Sequence, residues 1–329
     1  MNRSIAVVTL LVIGPILGGC APSSGPLGSI PPVASPEPSV GQASPDLTPG
    51  ASPSDPATSP SPSPTSSPAP SSVPQGTTIV RAYFFLGGPV GSAGLVPVLR
   101  EVPRTRAVAT AAMHELLDGP SASERSASPS ISTTVPAGTE LLGISIKDGV
   151  ATVDLSGAFE SGGGSASTLG RLGQVVYTLT QFPTVDTVAF RIDGRPVTVF
   201  GSEGIVLDGP VGRRLDRFGQ TMFENLLPSI FVDRPAWGAA LGNPGRVTGT
   251  ANTFEAHFTY ALLTGSGRVL RQGPVMADCG SGCRGSFDFT IGYSVARAQW
   301  GTLRVIEGDE SGATAGTFRD YTVWLTPAG

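Results

Sequence analysis

Residues 21–76 are more than half proline and serine, and that stretch limits folding more than any other feature of the 329-residue chain. Proline fixes φ and removes a backbone donor, while serine offers no apolar surface to bury, so no core forms there. Runs such as Ser59-Pro60-Ser61-Pro62-Ser63-Pro64, with only Glu37, Asp46 and Asp55 charged, favour extended polyproline II. At about 3.1 Å per residue such a stalk reaches on the order of 100–170 Å, enough to carry a domain outward through a cell wall. A core is therefore expected only after residue 76, where roughly 250 residues leave room for two ordinary domains.

The stretch ahead of the stalk, residues 1–20, has the layout of a secretory signal. Arg3 and the free amine precede an apolar run from Ile5 to Leu17, and small residues follow. The run is too short for an ordinary membrane-spanning helix. Its end, Leu17-Gly18-Gly19-Cys20, resembles the lipobox of bacterial lipoproteins. That resemblance implies that Cys20 becomes the mature N-terminus, with a diacylglycerol on its sulfur. Two acyl chains, at about 0.8 kcal/mol per buried methylene, hold a protein at a membrane where one would not. The expected location is the extracytoplasmic side of the cell membrane.

The net charge is −4 and Lys147 is the only lysine, so scattered arginines form no basic stripe for a phosphate backbone. Nucleic-acid binding is not expected. With Cys20 taken by lipid, Cys279 and Cys283 remain, an even number in an oxidising compartment.

Between residues 77 and 205 strand and helix signals alternate. Ile79 to Leu86 is β-branched and aromatic, and Leu95 to Val102 reads as a second strand. Thr105 is positioned to cap a helix to Leu117, with Val108, Ala112 and Leu116 at helical spacing, stopped at Asp118-Gly119-Pro120. Residues 121–130 read as a polar loop. Leu141–Ile146 and Val150–Leu155 flank Lys147-Asp148-Gly149, a hairpin signal. A helix over about Thr168–Gln181 places Leu169, Leu172, Val176 and Leu179 on one face and stops before Pro183. Val185–Ile192 and Val197–Phe200 flank Asp193-Gly194 as a second hairpin.

A series of motifs in this stretch resembles the GerMN domain of sporulation and germination lipoproteins. They are Arg100-Glu101-Val102 through Leu116-Leu117-Asp118-Gly119-Pro120, Pro136-Ala137-Gly138-Thr139, Asp148-Gly149-Val150 and Asp154-Leu155-Ser156. The run from Gln174 to Thr180 and Ile192-Asp193-Gly194 complete the series. The resemblance implies an α+β module, a mixed sheet packed on two helices, of a kind that builds protein assemblies at the envelope. It implies no enzymatic activity.

Residues 206–228 read as a solvated linker with a few buried anchors; Arg213, Arg214 and Arg217 lie among Leu215, Phe218 and Phe223. An interdomain brace or docking surface is the alternative. From residue 229 to 329 the pattern is all strand. Candidates are Ile230–Val232, Arg246–Thr250, Phe254–Leu263, Arg268–Met276, Ser286–Tyr293, Thr302–Ile306 and Phe318–Leu325, the spacing of an immunoglobulin-like sandwich. Pro235, Val247 to Asn252, Phe254-Glu255-Ala256, the cysteine pair, Gly285-Ser286-Phe287 and Gly301-Thr302-Leu303 are similar to the immunoglobulin-like spore-germination domain that commonly follows GerMN. Fragments 77–205 and 229–329 are expected to fold separately.

Residue chemistry points away from catalysis. Cys279-Gly280-Ser281-Gly282-Cys283 reads as a structural disulfide whose small loop contributes about 2 kcal/mol by chain entropy. A redox-active pair is the alternative, though two intervening residues are usual there. A metal site needs more ligands than His114 and His257, one in each module, can supply. Residues 280–285 spell GxGxxG between two strands, where a dinucleotide site needs a strand and a helix. There is no GxSxG nucleophile elbow. Glu307, Asp309 and Glu310 read as a polar turn before a weak calcium site, and Asp154 with Glu160 as structural before a glycosidase pair. Neither cofactor nor metal is expected. The expected function is a lipid-anchored cell-surface scaffold that contacts other envelope proteins. The alternative is a module that binds wall glycan or a small ligand and reports to a membrane partner.

Overall fold

The computed structural model describes residues 76–87, 94–213, 222–308 and 317–328. The leader, Cys20, the stalk to residue 75, Arg214, Leu215, Arg217, Phe218, Asp309 and Glu310 lie outside the described residues. Residues 69–329 belong to one compact unit.

Strand β1 (Thr77–Leu86) pairs along its full length with β2 (Gly94–Pro103), and Val80 to Phe84 are buried. Helix α1 (Val108–Asp118) buries Ala109, Ala112, Met113 and Leu116, the i, i+3, i+4, i+7 face, and stops at Gly119 and Pro120. The short helix α2 (Ala122–Ser126) precedes β3 (Ile131–Ser132), which pairs with the end of β1. Strands β4 (Leu141–Lys147) and β5 (Val150–Leu155) form a hairpin whose turn residues Asp148 and Gly149 have φ of 51° and 79°. Both positive values are what the I′ turn demands. Helix α3 (Ser165–Leu179) then crosses over to β6 (Thr187–Ile192), which lies parallel to β5 as a βαβ unit. β7 (Arg195–Pro196) folds back on β6, β8 (Val199–Phe200) pairs with β9 (Ile205–Val206), and β10 (Val211–Gly212) returns to β6. The strands thus divide among a β2-β1-β3 sheet, a β10-β6-β5-β4 sheet to which β7 adds beside β6, and the β8-β9 pair. Helices α1 and α3 pack on each other and on β1, and reach β4, β6 and β10.

Several boundaries differ from expectation. Thr105 does not cap α1: its hydroxyl accepts from the Ala107 N–H, a local turn that competes with the helix and delays it to Val108. The loop expected over 121–130 contains α2, whose capping box joins Ser121 and Glu124. Helix α3 begins three residues early, because its first turn is polar and carries no apolar period. The second hairpin keeps only two residues on its return strand.

The second module is a sandwich. β11 (Ile230–Arg234) is followed by β12 (Ala240–Leu241), β13 (Gly245–Ala251), β14 (His257–Thr264) and β15 (Val269–Met276). β16 (Gly285–Ile291), β17 (Gln299–Glu307) and β18 (Thr317–Leu325) complete it. One sheet is ordered β11-β13-β16, the other β12-β18-β17-β14-β15. Val247, Phe258, Leu262, Leu303, Val305, Tyr321 and Val323 fill the space between them. The strand expected from Phe254 begins at His257, since Glu255 and Ala256 have φ of 53° and 60° and turn the chain.

One apolar core runs through both modules. Trp237, after β11, lines the outer edge of β2: its N–H donates to Pro97 O at 2.8 Å and its O accepts from Leu99 N at 3.2 Å. An edge that would otherwise offer unpaired groups is thereby closed. Gly94 is required here, because a Cβ would fall 2.9 Å from Pro228 N. In the described part of the expected linker Leu207, Phe223, Leu226 and Leu227 are buried anchors, while Val206, Asp208 to Pro210, Met222 and Asn225 are exposed. The ring of Tyr177 packs against Phe223 at 6.1 Å and Phe231 at 5.7 Å.

Candidate functional site

A cluster of polar groups converges where the two modules meet, and α3 sets the position of its first-module members. Beyond its short pairing with β3, β1 has one open edge, and side chains from α3 bond to it in place of a strand. Gln174 Nε2 donates to Tyr83 O at 2.8 Å, and Thr178 Oγ1 accepts from Tyr83 N at 3.2 Å. Just past the helix, Gln181 accepts from Arg81 N at 2.8 Å and donates to Arg81 O at 2.7 Å. Spacings of four and three residues align these side chains on one helix face. The strand is thereby fixed with Arg81 and Tyr83 facing the second module.

Opposite them stands Asp233. The pairing of β11 with β13 shifts register between Val232 and Arg234, and Asp233 is the extra residue. A bulge re-aims its side chain, here toward β1. Arg213, which follows β10, closes the group. Its Nη1 donates to Asp233 Oδ1 at 3.0 Å, its Nε to Thr180 Oγ1 at 2.7 Å, and its Nη2 to the Tyr83 hydroxyl at 3.0 Å. The Tyr83 hydroxyl in turn donates to Asp233 Oδ1. Arg81 Nη1 donates to Asp233 Oδ2 and to Asp233 O, both at 3.2 Å. The guanidinium of Arg213 also lies over the rings of Tyr177 and Tyr83, 4.4 and 4.9 Å from their centroids.

Burial would raise the pKa of Asp233, but Arg213 and then Arg81 hold its carboxyl below the ordinary range. Burial pushes Tyr177 up to about 12, only partly offset by Arg213, and raises Tyr83 further. Both phenols therefore stay protonated and the carboxylate stays charged. Both oxygens of Asp233, the Tyr83 hydroxyl and all three nitrogens of Arg213 have partners inside the cluster. The arrangement joins modules.

A second link repeats the pattern. Arg284, 4% exposed, directs Nε to both carboxylate oxygens of Glu224 at 3.0 and 2.9 Å and Nη2 to Pro228 O at 3.0 Å. Between the two links lies a cleft of about 670 Å³ with Tyr177, Phe231 and Phe287 in its walls. Its arginines are already engaged with Asp233 and Glu224.

Cys279 and Cys283 form a disulfide with Cα atoms 5.8 Å apart. Their loop buttresses the turn before β14: Ser281 N donates to Thr253 O at 2.9 Å, and its hydroxyl accepts from Glu255 N at 2.7 Å. The GxGxxG string joins β15 to β16 with no helix. His114 is exposed on α1, and His257 opens β14 in the other module. Asp154 accepts from Gly194 N at 3.0 Å and Glu160 from Gly201 N at 3.5 Å, each steadying a turn. No cluster of three or more potential metal ligands occurs among the described residues. Among them, too, no helix is long and apolar enough to cross a membrane. Sequence reasoning singled out Arg213 and missed Arg81, Tyr83 and Asp233. The available signal was a charged residue inside each of two apolar strands.

Two family profiles match the chain. One, described as sporulation and spore germination, covers residues 81–198; the other, described as the immunoglobulin-like domain of bacterial spore germination, covers 229–314. Among solved structures, the first GerMN domain of the sporulation protein GerM from Bacillus subtilis is similar at 22% identity and TM-score 0.35, over 41% of this chain and 98% of that one. The tandem GerMN domains of the same protein match at 19% identity and TM-score 0.36, over 60% of each chain. A putative lipoprotein from Clostridium perfringens matches at 22% identity and TM-score 0.29, over 42% of this chain and 89% of that one. No curated protein matches the chain. The two profiles fall in order on the two modules, and the chain carries a GerMN domain followed by the immunoglobulin-like domain of bacterial spore germination.

Proposed function

We propose that this is a non-catalytic interaction protein of the sporulation and germination type. Lipid on Cys20 holds it on the extracytoplasmic side of the cell membrane, and the stalk carries its two domains outward to other envelope proteins. One observation carries the reading: the convergent charged groups, Arg81, Arg213 and Asp233, are consumed in fastening one domain to the other. A catalyst keeps such groups free for substrate; a scaffold uses them to fix the geometry of what it presents. Both matched families are described by sporulation and germination rather than by a reaction. Crosslinking in intact cells tests the reading. The wild-type chain is expected to capture defined envelope proteins from the membrane fraction, and Cys20→Ala to lose membrane retention. Wild-type protein that fractionates without lipid and captures no envelope protein would contradict it.

A further inference from the structure

We propose that the outer face of the five-stranded sheet is a binding surface for a linear, uncharged polysaccharide. On β17 and β18 inward and outward residues alternate: Gly301, Leu303, Val305, Arg319, Tyr321 and Val323 are buried, and their neighbours face out. The outward residues pair in rows, Trp300 with Trp324, Thr302 with Thr322, Arg304 with Asp320, and Ile306 with Phe318. Outward positions of such a sheet are normally polar. Here Trp300 is 51% and Phe318 52% exposed, at opposite ends of the ladder.

The chemistry of the rows selects the occupant. Trp300 and Trp324 meet edge to face, centroids 5.0 Å apart, and form an apolar platform. Phe318 supplies the other end, braced by Arg304 at 4.0 Å from its centroid. Between them stand the hydroxyls of Thr302 and Thr322, then Arg304 forked onto Asp320 at 2.7 and 2.8 Å. A sugar ring presents C–H groups that pack on the electron-rich face of an aromatic ring. Its hydroxyls need lateral donors and acceptors, which the middle rows hold. Arg304 and Asp320, the charged residues of these outward rows, are paired with each other, so the rows suit a neutral ligand. From Phe318 to Trp324 is about 20 Å at about 3.3 Å per residue, a length suited to several sugar units in line. With β14 and β15 included, the face measures roughly 20 by 15 Å, well below the about 800 Å² per partner of a standard protein interface. The choice of a wall polysaccharide rests on the extracytoplasmic reading; the binding face does not.

The test uses the purified chain without its leader, the tetramer of N-acetylglucosamine as soluble probe, and insoluble wall glycan stripped of protein. Of the three tryptophans, Trp300 and Trp324 are on the face and Trp237 is at the domain junction. Binding is expected to shift tryptophan emission and to co-sediment the protein with the glycan. Trp300→Ala with Trp324→Ala should weaken both by about tenfold or more, and Trp300→Phe should retain most of the binding. A thermal melt of each variant separates lost binding from lost fold. Wild-type protein that binds neither probe, or binding that survives the double substitution, would overturn the proposal. So would a face whose substitution alters self-association or protein capture instead. Fractionation of Cys20→Ala reports on the anchor separately.

Discussion

Arg213 and Asp233 meet across the domain junction, Nη1 to Oδ1 at 3.0 Å, and both bond the hydroxyl of Tyr83. Removing Asp233 leaves both Arg213 and Arg81 without their carboxylate, whereas removing Arg213 leaves Asp233 with Arg81. The pair is 23% and 21% exposed, so the losses fall short of the about 3–5 kcal/mol of a fully buried pair. Asp233→Ala is expected to lower stability by about 2 kcal/mol, and Arg213→Ala by less, because Arg81 still faces the carboxylate. The double variant should lose less than the sum, because the two act on one network. Urea denaturation of all four proteins checks this; strictly additive losses would mean that the pair is not coupled.

The same cluster sets the pH limits of the fold. The folded-state pKa of Asp233 is lowered, so its contribution is complete above the unfolded value of about 3.9 and is lost as pH falls through the folded one. Tyr177 is raised to about 12, so it keeps its proton when the unfolded chain has released it. Its contribution is complete below about pH 10 and is lost as pH rises toward 12. Melting temperature against pH should fall at both ends, and Tyr177→Phe should reduce the alkaline fall. An unchanged alkaline limb in that variant would contradict the assignment.

Gln174 serves both domains indirectly by holding β1. Its amide donates to Tyr83 O and accepts from Thr134 N, each at 2.8 Å, with the side chain fully buried. Gln174→Leu strands both backbone groups and should cost about 2 kcal/mol. Amide exchange should then quicken at Thr134; unaltered protection there would argue that water replaces the side chain at no cost.

Replacing Cys279 and Cys283 with Ser should cost about 2 kcal/mol through chain entropy. The loop also supports the turn at Phe254–Ala256. Exchange protection is expected to drop at 253–256 while the Arg213 cluster keeps its own. Loss of envelope-protein capture with an unchanged melting temperature would instead indicate a redox or metal role.

The course of the chain was legible where local physics decides it. Asp148-Gly149 dictates a hairpin because both residues take positive φ, and the apolar period of α1 names its buried face. Alternation along β17 and β18 identifies the sandwich. The junction was not legible for the opposite reason. Arg81 lies more than a hundred residues ahead of both Arg213 and Asp233, and an arginine in a strand looks the same whether solvent or a carboxylate waits opposite. Gln174, Thr178 and Gln181 read as the polar face of a helix. Only the open edge of β1 shows that this face replaces a strand. Ser121 and Glu124, by contrast, spelled a capping box within a stretch dismissed for its polarity.

The central claim is that the two domains are one body, and differential scanning calorimetry of the chain without its first twenty residues tests it most directly. A shared core and a buried ion cluster should give one transition, with calorimetric and van't Hoff enthalpies equal. Asp233→Ala should lower that single transition as a whole. Two separated transitions, one matching fragment 77–205 melted alone and unmoved by Asp233→Ala, would contradict the account.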